Sequence, residues 1–211
     1  MYEYVAKSEY APVRKELEKI INRTRVEMRK KYGLIFRFQL IGSGRRHLVT
    51  RIRGGNRGYD FDYNLIIPHP GKGYYYEASN VKRDFIAALK TALKGTQYSF
   101  PKDSTSAITV KLIDKNKKRI CHSCDFAIVY YEDDGYYYLR NNKKQNVYEF
   151  AFRPSRSDME GKVNDILEHN GWNYIREEYL ILKDINEGNG KHSFSIYHEA
   201  VNNVFNQMFL Q

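Results

Sequence analysis

Tyr59-Asp60-Phe61-Asp62-Tyr63-Asn64-Leu65-Ile66-Ile67 is the stretch whose reading decides the fold. Successive side chains of a strand point to opposite faces. Asp60 and Asp62 therefore share one face, about 7 Å apart, while Phe61, Tyr63 and Leu65 take the other. The run Leu65-Ile66-Ile67 continues the strand as a central, buried one would. Two carboxylates side by side on such a strand repel each other, and burying them unpaired is unfavourable, so they want a cation. Ligands that are all oxygen favour Mg²⁺ or Mn²⁺ over zinc. A solvent-facing strand with two acids would share the Asp-x-Asp pattern but not the apolar continuation.

On the N-terminal side, residues 34–41 alternate, with Leu34, Phe36, Phe38 and Leu40 on one face, and read as a strand. It runs into Gly42-Ser43-Gly44, and a short helix through Leu48 is expected to follow. A glycine-rich turn feeding a helix presents backbone N–H groups to an anion, and Ser43 adds a hydroxyl. Every charged side chain between Gly42 and Tyr59 is an arginine: Arg45, Arg46, Arg51, Arg53 and Arg57. The guanidinium fork suits phosphate oxygens, so this segment is expected to clamp a triphosphate or an acceptor phosphate. The alternative is a solvated loop centred on Gly54-Gly55-Asn56. On the C-terminal side, Asp125 opens the apolar run Phe126-Ala127-Ile128-Val129. If that strand lies beside 59–67, Asp125 joins Asp60 and Asp62, and three carboxylates on adjacent strands make a two-metal site.

A strand ending in Gly-Ser, a separate Asp-x-Asp strand and a third Asp opening a later apolar strand resemble the DNA polymerase beta-type nucleotidyltransferase superfamily. The resemblance covers roughly residues 34–131. It implies that Gly42 and Ser43 hold the phosphates of an incoming nucleotide, that Asp60 and Asp62 bind metal, and that Asp125 supports the acceptor hydroxyl. The gap from Ser43 to Asp60 is longer than the family pattern and holds the glycine-rich segment 51–58.

The rest of the chain fits an α+β protein, a nucleotidyltransferase-like mixed β-sheet flanked by helices, with a helical C-terminal part. Residues 11–31 form an amphipathic helix closed by Gly33, and Ser79 or Asn80 caps another through Leu93. Strands at 106–113 and 119–131 join through a Lys/Asn turn, and Asp133-Asp134-Gly135 turns the chain back into a strand at 136–139. After Pro154 the periodicity predicts three helices, at 158–169, 172–185 and 193–208. The expected organisation is a catalytic domain at 1–153 and a helical extension packed on it at 154–211.

The 211 residues carry a net charge of +10, which favours polyanionic partners: nucleic acid, with RNA pointed to as an acceptor, nucleoside triphosphates or an anionic membrane surface. Residues 1–10 lack an apolar stretch, and no run of about 18 apolar residues exists, so no signal peptide and no membrane span is expected. A cytoplasmic, reduced protein is the default for its two cysteines. Cys121-His122-Ser123-Cys124 lacks the second ligand pair that a zinc site usually needs. Trp172 is expected to anchor a helix to the sheet, and Ser104-Thr105-Ser106 to begin a strand or touch phosphate. The resulting expectation is a Mg²⁺- or Mn²⁺-dependent nucleotidyltransferase using two ions. It moves a nucleoside monophosphate to a hydroxyl of RNA, a nucleotide, a small molecule or a protein. The alternatives are a non-catalytic nucleotide- or RNA-binding module and a two-metal phosphohydrolase.

Overall fold

The computed structural model describes residues 1–155 and 158–210. In chain order its elements are β1 (Tyr2–Tyr4), α1 (Lys7–Tyr32), β2 (Arg37–Ile41), α2 (Gly42–Arg45), β3 (Thr50–Ile52), β4 (Tyr59–Ile66), α3 (Ala78–Ala92), β5 (Lys102–Asp103), β6 (Ile108–Asp114), β7 (Arg119–Glu132), β8 (Gly135–Asn142), β9 (Val147–Pro154), α4 (Asp158–Glu168), α5 (Trp172–Ile185) and α6 (Ser193–Phe209). The result is an α+β fold with one mixed sheet, flanking helices and a helical C-terminal part.

β4 lies inside the sheet, with Leu65 and Ile66 on opposite faces of its second half and Asn64 buried just before them. It pairs antiparallel with β2 and parallel with β7, and the sheet runs β2-β4-β7-β6-β5. A parallel pair needs a crossover, and the segment between β4 and β7 contains α3. β7 is long enough to serve two neighbours: its first part pairs with β6 and its last residues with β8, which carries β9. The face bearing Phe61, Tyr63, Phe126 and Ile128 is covered by α1 and α3 through Leu17, Ile20, Ile21, Met28, Phe85 and Leu89. Removing each such side chain from water contributes about 1.5–3 kcal/mol. The opposite face, which bears the acids, is left for function.

α1 begins at Lys7, a turn earlier than the pattern from residue 11 suggests. Pro12 reads as a first helical residue because it has no N–H to donate. The turn before it is held instead by Tyr10, which is buried with its ring centroid 6.2 Å from that of Phe61. Gly33 closes α1 at φ 66°, as expected. α3 starts one residue before Ser79, with Glu77 at the N-cap position.

Four strands, β1, β3, the two-residue β5 and β9, have no counterpart in the sequence reading. β1 and β3 pair with each other, so the first part of the arginine-rich segment is a strand and not a loop. β9 pairs along the whole of β8, and its Tyr148, Phe150 and Phe152 share one face. The three C-terminal helices surround a second cluster built on Ile166, Ile175, Tyr179, Ala200 and Val201, into which Leu48 inserts and against which Tyr4 packs. Trp172 belongs to this helical cluster, not to a helix–sheet contact.

Candidate active site

The β4–β7 register places Asp62 directly opposite Asp125 and Asp60 opposite Ser123. Period two puts Asp60, Asp62 and Asp125 on one face of two adjacent parallel strands. Asp60 is exposed and accepts a hydrogen bond from the Ser123 hydroxyl. Asp125 Oδ1 accepts one from Thr109 on β6 at 2.5 Å. Asp62 sits deepest of the three.

Its electrostatics follow from that depth. Burial, and then the charges of Asp125 and Asp60, raise the Asp62 carboxyl from 3.8 to about 7. Burial also raises Asp125, opposed by the Thr109 hydrogen bond and by Lys111 and Lys82. Among the described residues no Lys, Arg or His forms an ion pair with any of the three. This is an oxygen-only, acidic donor set suited to a hard divalent cation. Asp62 and Asp125 are the pair best placed to hold one, with Asp60 one pleat away. Among the described residues no three His, Cys, Asp or Glu side chains converge on a single metal position.

The glycine turn meets the carboxylates directly. Ile41 pairs with Asp62, so Gly42 follows the strand pair at the level of the acids. Gly42 has φ +62°, and a Cβ built there would lie 2.6 Å from Asp62 Oδ2. Only glycine meets both demands. Ser43 is the next residue, and its carbonyl accepts from Leu48 N–H at 2.9 Å, closing the turn.

The arginines divide. Arg46 stacks over Tyr197 of α6, 4.3 Å from the ring centroid, and lies 5.7 Å from that of Phe194. Arg51 pairs with Glu3 and Glu9, and Arg53 pairs with Glu3. Those three hold the N-terminal segment and α6 to the centre of the molecule. Arg45 and Arg57 are exposed and form no ion pair among the described residues.

A lysine absent from the sequence reading is coupled electrostatically to the acids. Lys183 of α5 donates to Ser193 Oγ at 3.0 Å and lies 4.5 Å from the Tyr2 ring centroid. Burial lowers its pKa, and the charge of Asp60 opposes that shift, so Lys183 feels the carboxylate face. Its signal in the sequence is one lysine on a mixed helix, with Ser193 ten positions on. Only the tertiary fold brings the two to the site. Cys124 and His122, by contrast, lie in the core. His122 Nε2 is 2.8 Å from the Tyr98 hydroxyl, and burial lowers its pKa to about 4.

The backbone arrangement is shared with solved structures. A variant of the Vibrio cholerae di-nucleotide cyclase DncV, in complex with ATP, GTP and a third ligand, matches with a TM-score of 0.67 and 13% identity over 95% of this chain and 69% of that one. The fold is that of the nucleotidyltransferases. DncV described as a cyclic AMP-GMP synthase, with a linear pppApG intermediate, matches with a TM-score of 0.62 and 15% identity over 95% of this chain and 67% of that one. Escherichia coli DncV bound to 3'-deoxy GTP matches with a TM-score of 0.56 and 15% identity, and the chain spans only 54% of that protein's length. No family model matches the sequence, and no curated protein does. In this nucleotidyltransferase fold the long gap between Ser43 and Asp60 is taken up by α2, by β3 with its β1 partner, and by the turn that follows.

Proposed function

We propose that the chain is a divalent-metal-dependent nucleotidyltransferase that moves a nucleoside monophosphate from an NTP to a hydroxyl and releases pyrophosphate. The observation that carries this reading is the seating of Asp62 against Gly42, which sets the acids beside the phosphate-type turn in one nucleotidyltransferase fold. The turn's amides and the Ser43 hydroxyl hold the β- and γ-phosphates. Lys183 and Ser193 reach the same triphosphate from the helical side, and Phe194, 47% exposed, offers a ring face to the base. Asp60, Asp62 and Asp125 are the residues that would hold divalent metal, which when bound would supply Lewis-acid charge to the transferring phosphoryl group. The Asp125 oxygen not engaged by Thr109 accepts the hydrogen bond of the acceptor hydroxyl and aims it in line. Arg45 and Arg57 are the arginines left to meet outer phosphates.

The acceptor is proposed to be a second nucleotide, a reading supported by the neighbours described as a di-nucleotide cyclase and a cyclic AMP-GMP synthase. The charge of +10 keeps RNA as the second candidate. The test incubates the protein with each α-³²P-labelled NTP, alone, in pairs and with total RNA, in Mg²⁺ or Mn²⁺, against Asp60→Ala/Asp62→Ala. Labelled dinucleotide with matched pyrophosphate, absent in the variant, is the expected result. Label on RNA moves the acceptor to RNA. Nucleotide binding without pyrophosphate for any acceptor returns the chain to a binding module, and nucleoside monophosphate with water as sole acceptor makes it a phosphohydrolase.

A further inference from the structure

We infer that Thr109 is a positioning residue for Asp125, fastened from inside the core by Lys82. The inference rests on the nucleotidyltransferase reading and adds residues to its site. Thr109 is the register partner of Asp125 across β6 and β7, and its Oγ1 lies 2.5 Å from Asp125 Oδ1. An ionised carboxylate only accepts, so the single hydroxyl proton of Thr109 is committed to Asp125. Ser104 Oγ, 2.8 Å from Thr109 Oγ1, is then the donor in that second pair. The relay Ser104 to Thr109 to Asp125 therefore has one direction. It fixes one oxygen of the carboxylate and leaves the other to face metal and acceptor.

The turn that carries Ser104 is tied down in its own right. Ser104 N–H donates to the Ala107 carbonyl at 3.0 Å. Lys82 Nζ donates to the same carbonyl at 2.9 Å and to that of Ser104 at 3.4 Å, and lies 3.0 Å from the Asp103 carboxylate. Tyr148 donates to the other oxygen of Asp103 at 2.5 Å. The Lys82 side chain is 2% exposed. A buried ion pair is a poor way to stabilise a core, since an apolar side chain on α3 would do as well. What Lys82 adds is geometry: it reaches from α3 through the protein to set residues 103–107, and they set Thr109. Such outer partners of metal-ligating carboxylates tune affinity as the ligands themselves do.

The experiment titrates Mg²⁺ against pyrophosphate release for Thr109→Val, Thr109→Ser, Ser104→Ala and Lys82→Met. Mn²⁺ binding to the nucleotide-free proteins is followed in parallel by electron paramagnetic resonance. Thr109→Val keeps the shape and loses the hydroxyl. It is expected to raise the Mg²⁺ concentration for half-maximal rate and the Mn²⁺ dissociation constant about tenfold. KM for nucleotide at saturating metal and Tm should stay close to wild type. Thr109→Ser restores the metal requirement, and Ser104→Ala gives a smaller shift in the same direction. Lys82→Met shifts the metal requirement and also lowers Tm. A wild-type metal requirement in Thr109→Val, or a Thr109→Ser as impaired as Thr109→Val, overturns the inference. If the wild-type protein releases no pyrophosphate with any substrate, the function reading has failed separately. Mn²⁺ binding still decides the role of Thr109 in that case: equal affinity in wild type and Thr109→Val overturns it.

Discussion

Two neighbouring regions of this molecule treat charge in opposite ways. The acids on β4 and β7 are held together by backbone register with no cation ion-paired to them among the described residues, although the chain carries an excess of ten positive charges. The arginines of 45–57 lie one turn away, and three of the five are already satisfied: Arg46 on Tyr197, Arg51 on Glu3 and Glu9, Arg53 on Glu3. Like charges forced together by a rigid sheet are a site awaiting a ligand. Opposite charges brought together by flexible side chains are a fastening. The difference teaches that a residue type suited to phosphate can also serve to fasten one part of the fold to another. Position relative to the sheet separates the two roles.

Four measurements press on that contrast. The largest effect is expected at the acids. Asp62→Asn should lower pyrophosphate release by roughly a hundred- to thousandfold in steady-state assays, and activity within a few-fold of wild type would break the reading of that face as catalytic. Next comes Lys183, whose titration is coupled to Asp60: Lys183→Met should raise KM for NTP about tenfold, as expected for loss of one charge-assisted hydrogen bond to phosphate. An unchanged KM would return Lys183 to a packing role.

The third is a pH dependence. Because the Asp62 carboxyl titrates at about 7 in the fold and near 3.8 when free, the folded state binds a proton that the unfolded state releases between those values. Stability of the metal-free protein should therefore fall as pH rises from about 4 to about 7. Asp62→Asn should flatten that limb and raise Tm at pH 8 by several degrees, and saturating Mg²⁺ should do the same for wild type only. His122, held down at about 4 by burial, acts the other way and weakens the fold as pH drops below its ordinary range. A Tm insensitive to Asp62→Asn at pH 8 would mean the acids are less crowded than their register implies. The smallest effect separates the arginines. Arg45→Ala/Arg57→Ala should raise KM a few-fold with Tm unchanged, whereas Arg51→Ala/Arg53→Ala should lower Tm by a few degrees at most and leave KM alone. The reverse outcome would restore the whole segment as a phosphate clamp.

The sequence made the acid-bearing strands legible because their evidence is local. Period two alone puts Asp60 and Asp62 on one side of a strand, and the apolar run after Asp125 marks a buried neighbour. The helices after Pro154 were equally plain from their periodicity. The partners of Arg46, Arg51 and Arg53, namely Tyr197, Glu3 and Glu9, are not legible from the arginine segment because they lie far away in the chain. β1 and β3 are three residues each, too short for alternation to register. β9 is different: Tyr148, Phe150 and Phe152 do alternate, and that signal was there to be used. Lys183 and Ser193 lay beyond reach, since nothing in a polar helix says which of its lysines a fold will turn inward.

Gly42 carries a consequence of another kind. Its backbone needs a left-handed residue, and the space where a side chain would start is taken by the Asp62 carboxylate. Under the proposed function, the turn that would grip the phosphates and the acid that would grip the metal are thus meshed like two gears on one shaft. A lineage could not retune the grip on one by substitution at position 42 without displacing the other. Change in what the site accepts is then expected at positions around this contact, while the contact itself stays frozen.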